Sequence, residues 1–330
     1  VRRHGRITVV AVAVLAVLAL TGCAGGGAGG DADDGAGHAA APACPPAPEL
    51  AGPPQRVVTM DGGAAAVLER LGVGDRIVGT AAPDFLDAFT GPRRTALDRI
   101  PVLDPGQGNA EAVIAAEPDL VVGISAYSFG GFDGTPTVQR LRDAGAASLV
   151  ACDDAPAPVT GIDDTYAFVE RAARVFGVPE RGAELVAEIR SAVEAAAPAP
   201  GTAPVRVLML SSAPQPGQPL STLGGGGLAN GIVTLAGGTN IAQDTGADFA
   251  ALSAEEVAAR DPQAIVVITG FAPQGDAELL GAVRSSPVLA ATTAVRENRI
   301  VAVPQSITLS PSVLNGQAVA TVARGIHPAP

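Results

Sequence analysis

From Arg56 onward, short unbroken apolar runs alternate with segments whose apolar residues recur every three or four positions. RVVTM (56–60), RIVGT (76–80), DLVVG (119–123), SLVA (148–151), VRVLML (205–210), AIVVIT (264–269) and RIVAVP (299–304) are brief and rich in β-branched residues, and they predict strands. Helical spacing separates them. AAAVLERLG (64–72) places Val67, Leu68 and Leu71 on one face and stops at Gly72, and NAEAVIAAEP (109–118) runs from an N-cap Asn109 to Pro118, which bars continuation. VQRLRDAGA (138–146), GLANGIVTLAGG (227–238), SAEEVAARDP (253–262), ELLGAVRSSPVLA (278–290) and SPSVLNGQAVATVARGI (310–326) predict further helices. The texture changes between 159 and 198, where two helices (163–176 and 179–197) follow each other with no strand candidate between them. The pattern predicts an α/β fold of two lobes, each a mostly parallel sheet covered by helices, joined by a single long helical crossing with a ligand cleft between them. The expected boundaries are an N-terminal lobe at 55–158, bridging helices at 159–198 and a C-terminal lobe at 199–330.

One phrase occurs twice. NAEAVIAAEPDLVV (109–122) and SAEEVAARDPQAIV (253–266) lie 144 residues apart and match at six of fourteen positions, including an acid in third place and a proline in tenth. Glu111 and Glu255 each sit two residues past an N-cap, where a carboxylate favours the helix dipole by about 0.3–1 kcal/mol. In the second copy Ser253 and Glu256 have capping-box spacing, so Glu256 has a structural task and Glu255 is left over. Equivalent acids on two lobes form a matched pair able to meet two arginines of a two-fold partner.

The N-terminal stretch changes the picture. Arg2, Arg3 and Arg6 precede an uninterrupted apolar run from Ile7 to Leu20, then Leu20-Thr21-Gly22-Cys23. The run is shorter than the roughly 20 residues of a membrane span and fits a secretory signal peptide at 1–23 whose Cys23 becomes lipidated. Residues 24–54 lack periodicity and read as a flexible tether, placing the mature protein on the outer face of the cytoplasmic membrane, held there by its lipid. Cys44 and Cys152 remain, in a compartment where disulfides persist, and are expected to be bridged; two unpaired thiols are the alternative.

Composition narrows the function. The net charge is −12 and lysine is absent, which disfavours a nucleic-acid partner. The three histidines lie at 4, 38 and 327, outside the expected lobes save the last, so neither a histidine metal cluster nor a Ser-His-Asp mechanism has its parts, and no resident metal or cofactor is expected. The glycine run at 224–227 invites a phosphate-loop reading, but a flexible approach to the next helix fits better, since dinucleotide spacing is missing. No enzyme motif is left standing. In parallel sheets ligands sit beyond the carboxyl ends of the strands. The segments there supply the cleft candidates Asp61, Arg93, Arg94, Tyr127, Phe129, Phe271 and Ser306, with Asp84 and Phe85 beside them. Arg93 and Arg94 suit an anionic ligand, or a solvated turn after Pro92.

RVVTM with VLERLGVGDRIVGT, NAEAVIAAEPDLVVG, TLAGGTNIAQDTGADFAALSAEEVAARDPQAIVV and the closing RIVAVP resemble, in order and spacing, the substrate-binding lipoproteins of ABC importers for iron(III)-siderophores and cobalamin. The resemblance covers about 56–328. It implies a monomeric two-lobed binder that carries a small-molecule metal chelate, an iron(III)-siderophore first and a corrinoid or other bulky cofactor as alternative, to a permease dimer. It also implies that Glu111 and Glu255 engage arginine pockets on the two permease subunits. Ala65-Ala66 and Asp61-Gly62-Gly63 depart from the usual pattern of relatives, and the chain has no tryptophan to stack on a flat chelate. A sensing or interaction lipoprotein on the same fold is the rival from another class.

Overall fold

The computed structural model describes residues 48–152, 156–270 and 275–328. Its first sheet is built from β1 (Val57–Thr59), β2 (Ile77–Ala81), β3 (Val102–Asp104), β4 (Leu120–Gly123) and β5 (Ala147–Val150). The strand order is β3-β2-β1-β4-β5 and every pairing is parallel. Helices α1 (Gly62–Arg70), α2 (Gly91–Leu97), α3 (Ala110–Ala115) and α4 (Val138–Asp143) make the connections. Two consecutive helices, α5 (Asp163–Val175) and α6 (Pro179–Ala196), then lead to the second sheet. That sheet holds β6 (Val205–Leu210), β7 (Leu220–Leu223), β8 (Gly238–Asn240), β9 (Phe249–Leu252), β10 (Ala264–Thr269) and β11 (Ile300–Pro304). Its order is β11-β10-β6-β7-β9, with β8 beside β6. β6, β8, β10 and β11 run parallel, while β7 is antiparallel to both β6 and β9. Helices α7 (Leu228–Leu235), α8 (Ala254–Arg260), α9 (Asp276–Ser285), α10 (Thr293–Arg296) and α11 (Asn315–Ile326) cover it.

The continuous apolar runs of the central strands follow from burial on both faces. In β4, Leu120 and Val122 join one core while Val121 joins the core on the opposite face; in β10, Ala264, Val266 and Ile268 part in the same way from Ile265 and Val267. The inward residues of both sheets belong to one continuous core, with Phe168, Val169 and Phe176 of the α5 segment and Leu185 and Ile189 of α6 at its centre. Each such side chain contributes about 1.5–3 kcal/mol relative to exposure. Helix α6 packs along both α5 and α11. The lobes therefore share a core through the crossing helices.

The sequence pattern does not predict β3, β7, β8, β9, α2 or α10. These strands have three or four residues each, and Val102 in β3 is 51% exposed, so neither length nor an apolar run marks them. Pairing to a neighbour, a long-range fact, makes them strands. The glycine run also differs from expectation. Gly224, Gly225 and Gly226 donate their amides to the carbonyls of Asp248 (2.9 Å), Thr245 (2.7 Å) and Ala247 (3.1 Å). A Cβ on Gly224 would lie 2.2 Å from the Ala247 oxygen. The run is a backbone-on-backbone seam, neither a flexible approach nor a phosphate cradle, because the amides of Gly224, Gly225 and Gly226 are already used.

The signal peptide, Cys23 and Cys44 and most of the tether (24–47), with Phe271, lie outside the described residues. No described helix is long and apolar enough to cross a membrane.

Candidate functional site

The carboxyl ends of β1, β2 and β4 in one lobe and of β6, β10 and β11 in the other open onto a common region, and the two sides touch where the 3-10 turn Pro83–Ala88 packs against the turn Gln305–Ile307. At the floor on the N-terminal side lies Asp61. Its side chain caps α1, accepting from the Ala64 amide at 2.7 Å, and its second oxygen accepts from the Ile124 amide at 3.0 Å. The residue is 3% exposed. Burial pushes its carboxyl up to about 6 against the pull of those backbone amides, and nearby Asp84 adds to the rise. Asp61 thus ties the start of α1 to the end of β4. Both its oxygens face backbone amides, which gives it a structural task.

The two arginines are placed elsewhere. Arg94 donates to Asp98 at 2.7 Å and Asp87 at 2.9 Å, and those acids raise its guanidinium further. Arg93 reaches Glu188 of α6 at 3.6 Å, beside the paired Arg70 at the C-terminal end of α1, the end opposite Asp61. Arg70 and then Arg93 hold the Glu188 carboxyl below its usual range. Intramolecular carboxylates take both arginines of the expected cleft pair. Phe129 is likewise a core residue, 5% exposed, its ring lying where a Cβ on Gly123 would come within 2.7 Å.

Tyr127 and Ser306 do lie on the carboxyl-end loops, in the short turns after β4 and β11. Ser306 is 7% exposed and Tyr127 half-buried. The ring of Tyr127 stands 6.0 Å from that of Phe132, tilted by 35°. Phe132, 43% exposed, is the aromatic that sequence reasoning passed over in favour of Phe129, three residues earlier in SFGGF. Gln305 donates to the Gly270 carbonyl at 2.7 Å and so braces the ends of β10 and β11 against each other. Three surface hollows of about 390, 440 and 520 Å³ lie away from this edge, against the start of β11, between α1 and α6, and beside α8.

The repeated phrase is one structural unit used twice. α3 and α8 both begin on a side-chain cap, Asn109 and Ser253, and the second has the full capping box with Glu256. Each then turns through a left-handed residue, Glu117 (φ 48°) or Asp261 (φ 37°), directly before its proline. In each lobe an arginine at the start of the neighbouring strand closes the helix: Arg56 donates to the Ala116 and Glu117 carbonyls, Arg206 to those of Arg260 and Asp261. Glu111 and Glu255 therefore project from equivalent first turns, both exposed. Glu111 has Arg140 at 3.6 Å, a pair open to solvent and worth about 0–1 kcal/mol. Glu255 has no ion pair among the described residues.

Two sheets, a shared helical spine and opposed carboxyl-end loops are the geometry of a two-lobed binding protein. The profile of the family described as Periplasmic binding protein matches residues 57–307. The chain belongs to that family. This periplasmic binding protein is 30% identical over 282 residues to a cobalamin-binding protein of Halobacterium salinarum, covering 83% of this chain and 70% of the relative. Among solved structures it is similar to an ABC-type Fe3+-hydroxamate transport system protein from Saccharomonospora viridis (26% identity, 85% of this chain and 95% of the other, TM-score 0.68). It is also similar to the periplasmic heme-binding protein RhuT from Roseiflexus sp. RS-1 in apo form (26% identity, 83% and 99%, TM-score 0.65). The family is one of extracytoplasmic binding proteins for small molecules, working with ABC importers, rather than one of enzymes.

Proposed function

We propose that this periplasmic binding protein carries a bulky metal chelate, an iron(III)-siderophore type first, and delivers it to a two-fold ABC permease. The carrying observation is the meeting of the two sets of carboxyl-end loops, 83–88 against 305–307, above a spine that both lobes share. Glu111 and Glu255 are the docking posts, one per lobe on matched helix starts, and the protein acts as a monomer. A lipid on Cys23 holds it at the outer face of the cytoplasmic membrane. Cys152, disulfide-bonded at the end of β5, pairs with Cys44 in this reading and so pins the tether to the first lobe. A corrinoid is the second reading, favoured by the 30% identity to a cobalamin-binding relative.

Thermal melting with ferric trihydroxamates, ferric tricatecholates, hemin and cobalamin tests the proposal. A ligand at one hundred times its Kd adds about 2.7 kcal/mol to the folded state, which raises Tm by several degrees. At least one chelate is expected to do so. A flat response to all of them would favour the sensing module and sink the transport reading.

A further inference from the structure

Acids stand in the loops at the carboxyl ends of the strands. Asp84 is exposed in the turn after β2, close enough to Asp61 to raise its pKa, and Asp133 is exposed in the loop after β4. Around them the carboxyl-end segments offer Ser125, Tyr127, Ser211 and Gln305, all uncharged. The loops that directly follow the strands contain no arginine. Arg56, Arg76, Arg206 and Arg299 stand at the amino ends of strands, where Arg56 and Arg206 cap helix C-termini. Arg94 reaches Asp87 of the 83–88 turn and is held by Asp87 and Asp98, and Arg171 is turned onto the Val150 carbonyl and the Cys152 sulfur at edge strand β5. Arg140 is turned to Glu111. The chain has no lysine, and its histidines are at 4, 38 and 327.

A carboxylate brought into this cleft would give up water while the arginines around it, among the described residues, are held by acids or carbonyls, and it would face Asp84. An amide or ammonium meets carboxylate, hydroxyl and carbonyl acceptors. The Tyr127–Phe132 pair independently points the same way, because aromatic faces attract cations and apolar surface and repel anions. Resting on the transport reading above, we infer that the cargo is a neutral or net-positive chelate whose rim carries amide or ammonium groups, and that the cleft selects against carboxylate-bearing and catecholate forms.

Calorimetric titration with matched pairs tests this. One pair is a ferric trihydroxamate with a free ammonium and its succinylated derivative; the other is cobalamin and its derivative with one side-chain amide hydrolysed to a carboxylate. Within whichever scaffold binds, the carboxylate form is expected to bind at least about fivefold more weakly at low salt, with the gap narrowing as salt rises. Asp84→Asn is expected to narrow the gap as well. Equal or tighter binding of the carboxylate form overturns the inference, as does binding of hemin or a ferric tricatecholate alone, which would leave transport standing. Binding of no chelate at all removes the transport reading and this inference with it.

Discussion

Asp61 shows how a residue at the carboxyl edge of a sheet can serve the fold. Its carboxyl is raised to about 6 by burial, whereas in the unfolded chain it titrates near 3.8. Below about pH 4 both states hold the proton and the residue is neutral to stability. Between about 4 and 6 only the unfolded state ionises, so the contribution falls as pH rises, reaching a loss of about 3 kcal/mol at pH 7. Asp61→Ser keeps an N-cap and removes the charge. Urea unfolding is expected to find the variant gaining on the native protein between pH 4 and pH 7; a constant difference would contradict the buried-acid account. Glu117 offers a second test at this scale. Its φ of 48° suits glycine, its side chain is exposed, and its carbonyl is what Arg56 binds. Glu117→Gly is expected to raise stability by about 0.5–1 kcal/mol in the same assay.

Among elements, the seam at Gly224–Gly226 is the sharpest case. A Cβ on Gly225 would stand 2.3 Å from the Gln243 carbonyl oxygen, whereas Gly281 in α9 has nothing within 4 Å of that position. Gly225→Ala should therefore cost more than about 2 kcal/mol, and Gly281→Ala should gain up to about 1 kcal/mol from helix propensity. Denaturant midpoints of the two variants should move in opposite directions. These elements also show what was legible beforehand. The central strands and the longer helices could be read because burial on two faces, or on one stripe, writes itself into the order of apolar residues. β7, β8 and β9 could not, since a strand of three or four residues is defined by its partners. The site was harder to read than the fold. Arg94 carried a local signal in Asp98 four residues on, which marks an ion pair within α2. Nothing local distinguishes Phe129 from Phe132. Only the close approach of the Phe129 ring to Gly123, across the sheet face, decides which one is core.

The described residues form two lobes on one core. Buried Asn315 ties the crossing helices to the C-terminal lobe: its oxygen accepts from Thr165 of α5 at 2.8 Å, and its amide donates to the Ile307 carbonyl at 2.9 Å in the turn after β11. With the spine packed this way, large hinge opening would expose a shared apolar core, so modest closure is expected on binding. Asn315→Ala leaves the Thr165 hydroxyl, the Ser312 amide and the Ile307 and Ser310 carbonyls without this partner and is expected to lower stability by about 1–3 kcal/mol, read by thermal melting. Rigidity of this kind suits the proposed carrier, whose two docking acids would keep a fixed separation. The most direct test of delivery is uptake of the chelate that raises Tm most, by cells carrying either the native protein or the Glu111→Arg, Glu255→Arg double variant, with chelate affinity checked on the purified proteins. Both positions are exposed, so affinity should be unchanged while uptake falls to the level of cells lacking the protein. Undiminished uptake by the double variant would contradict the account.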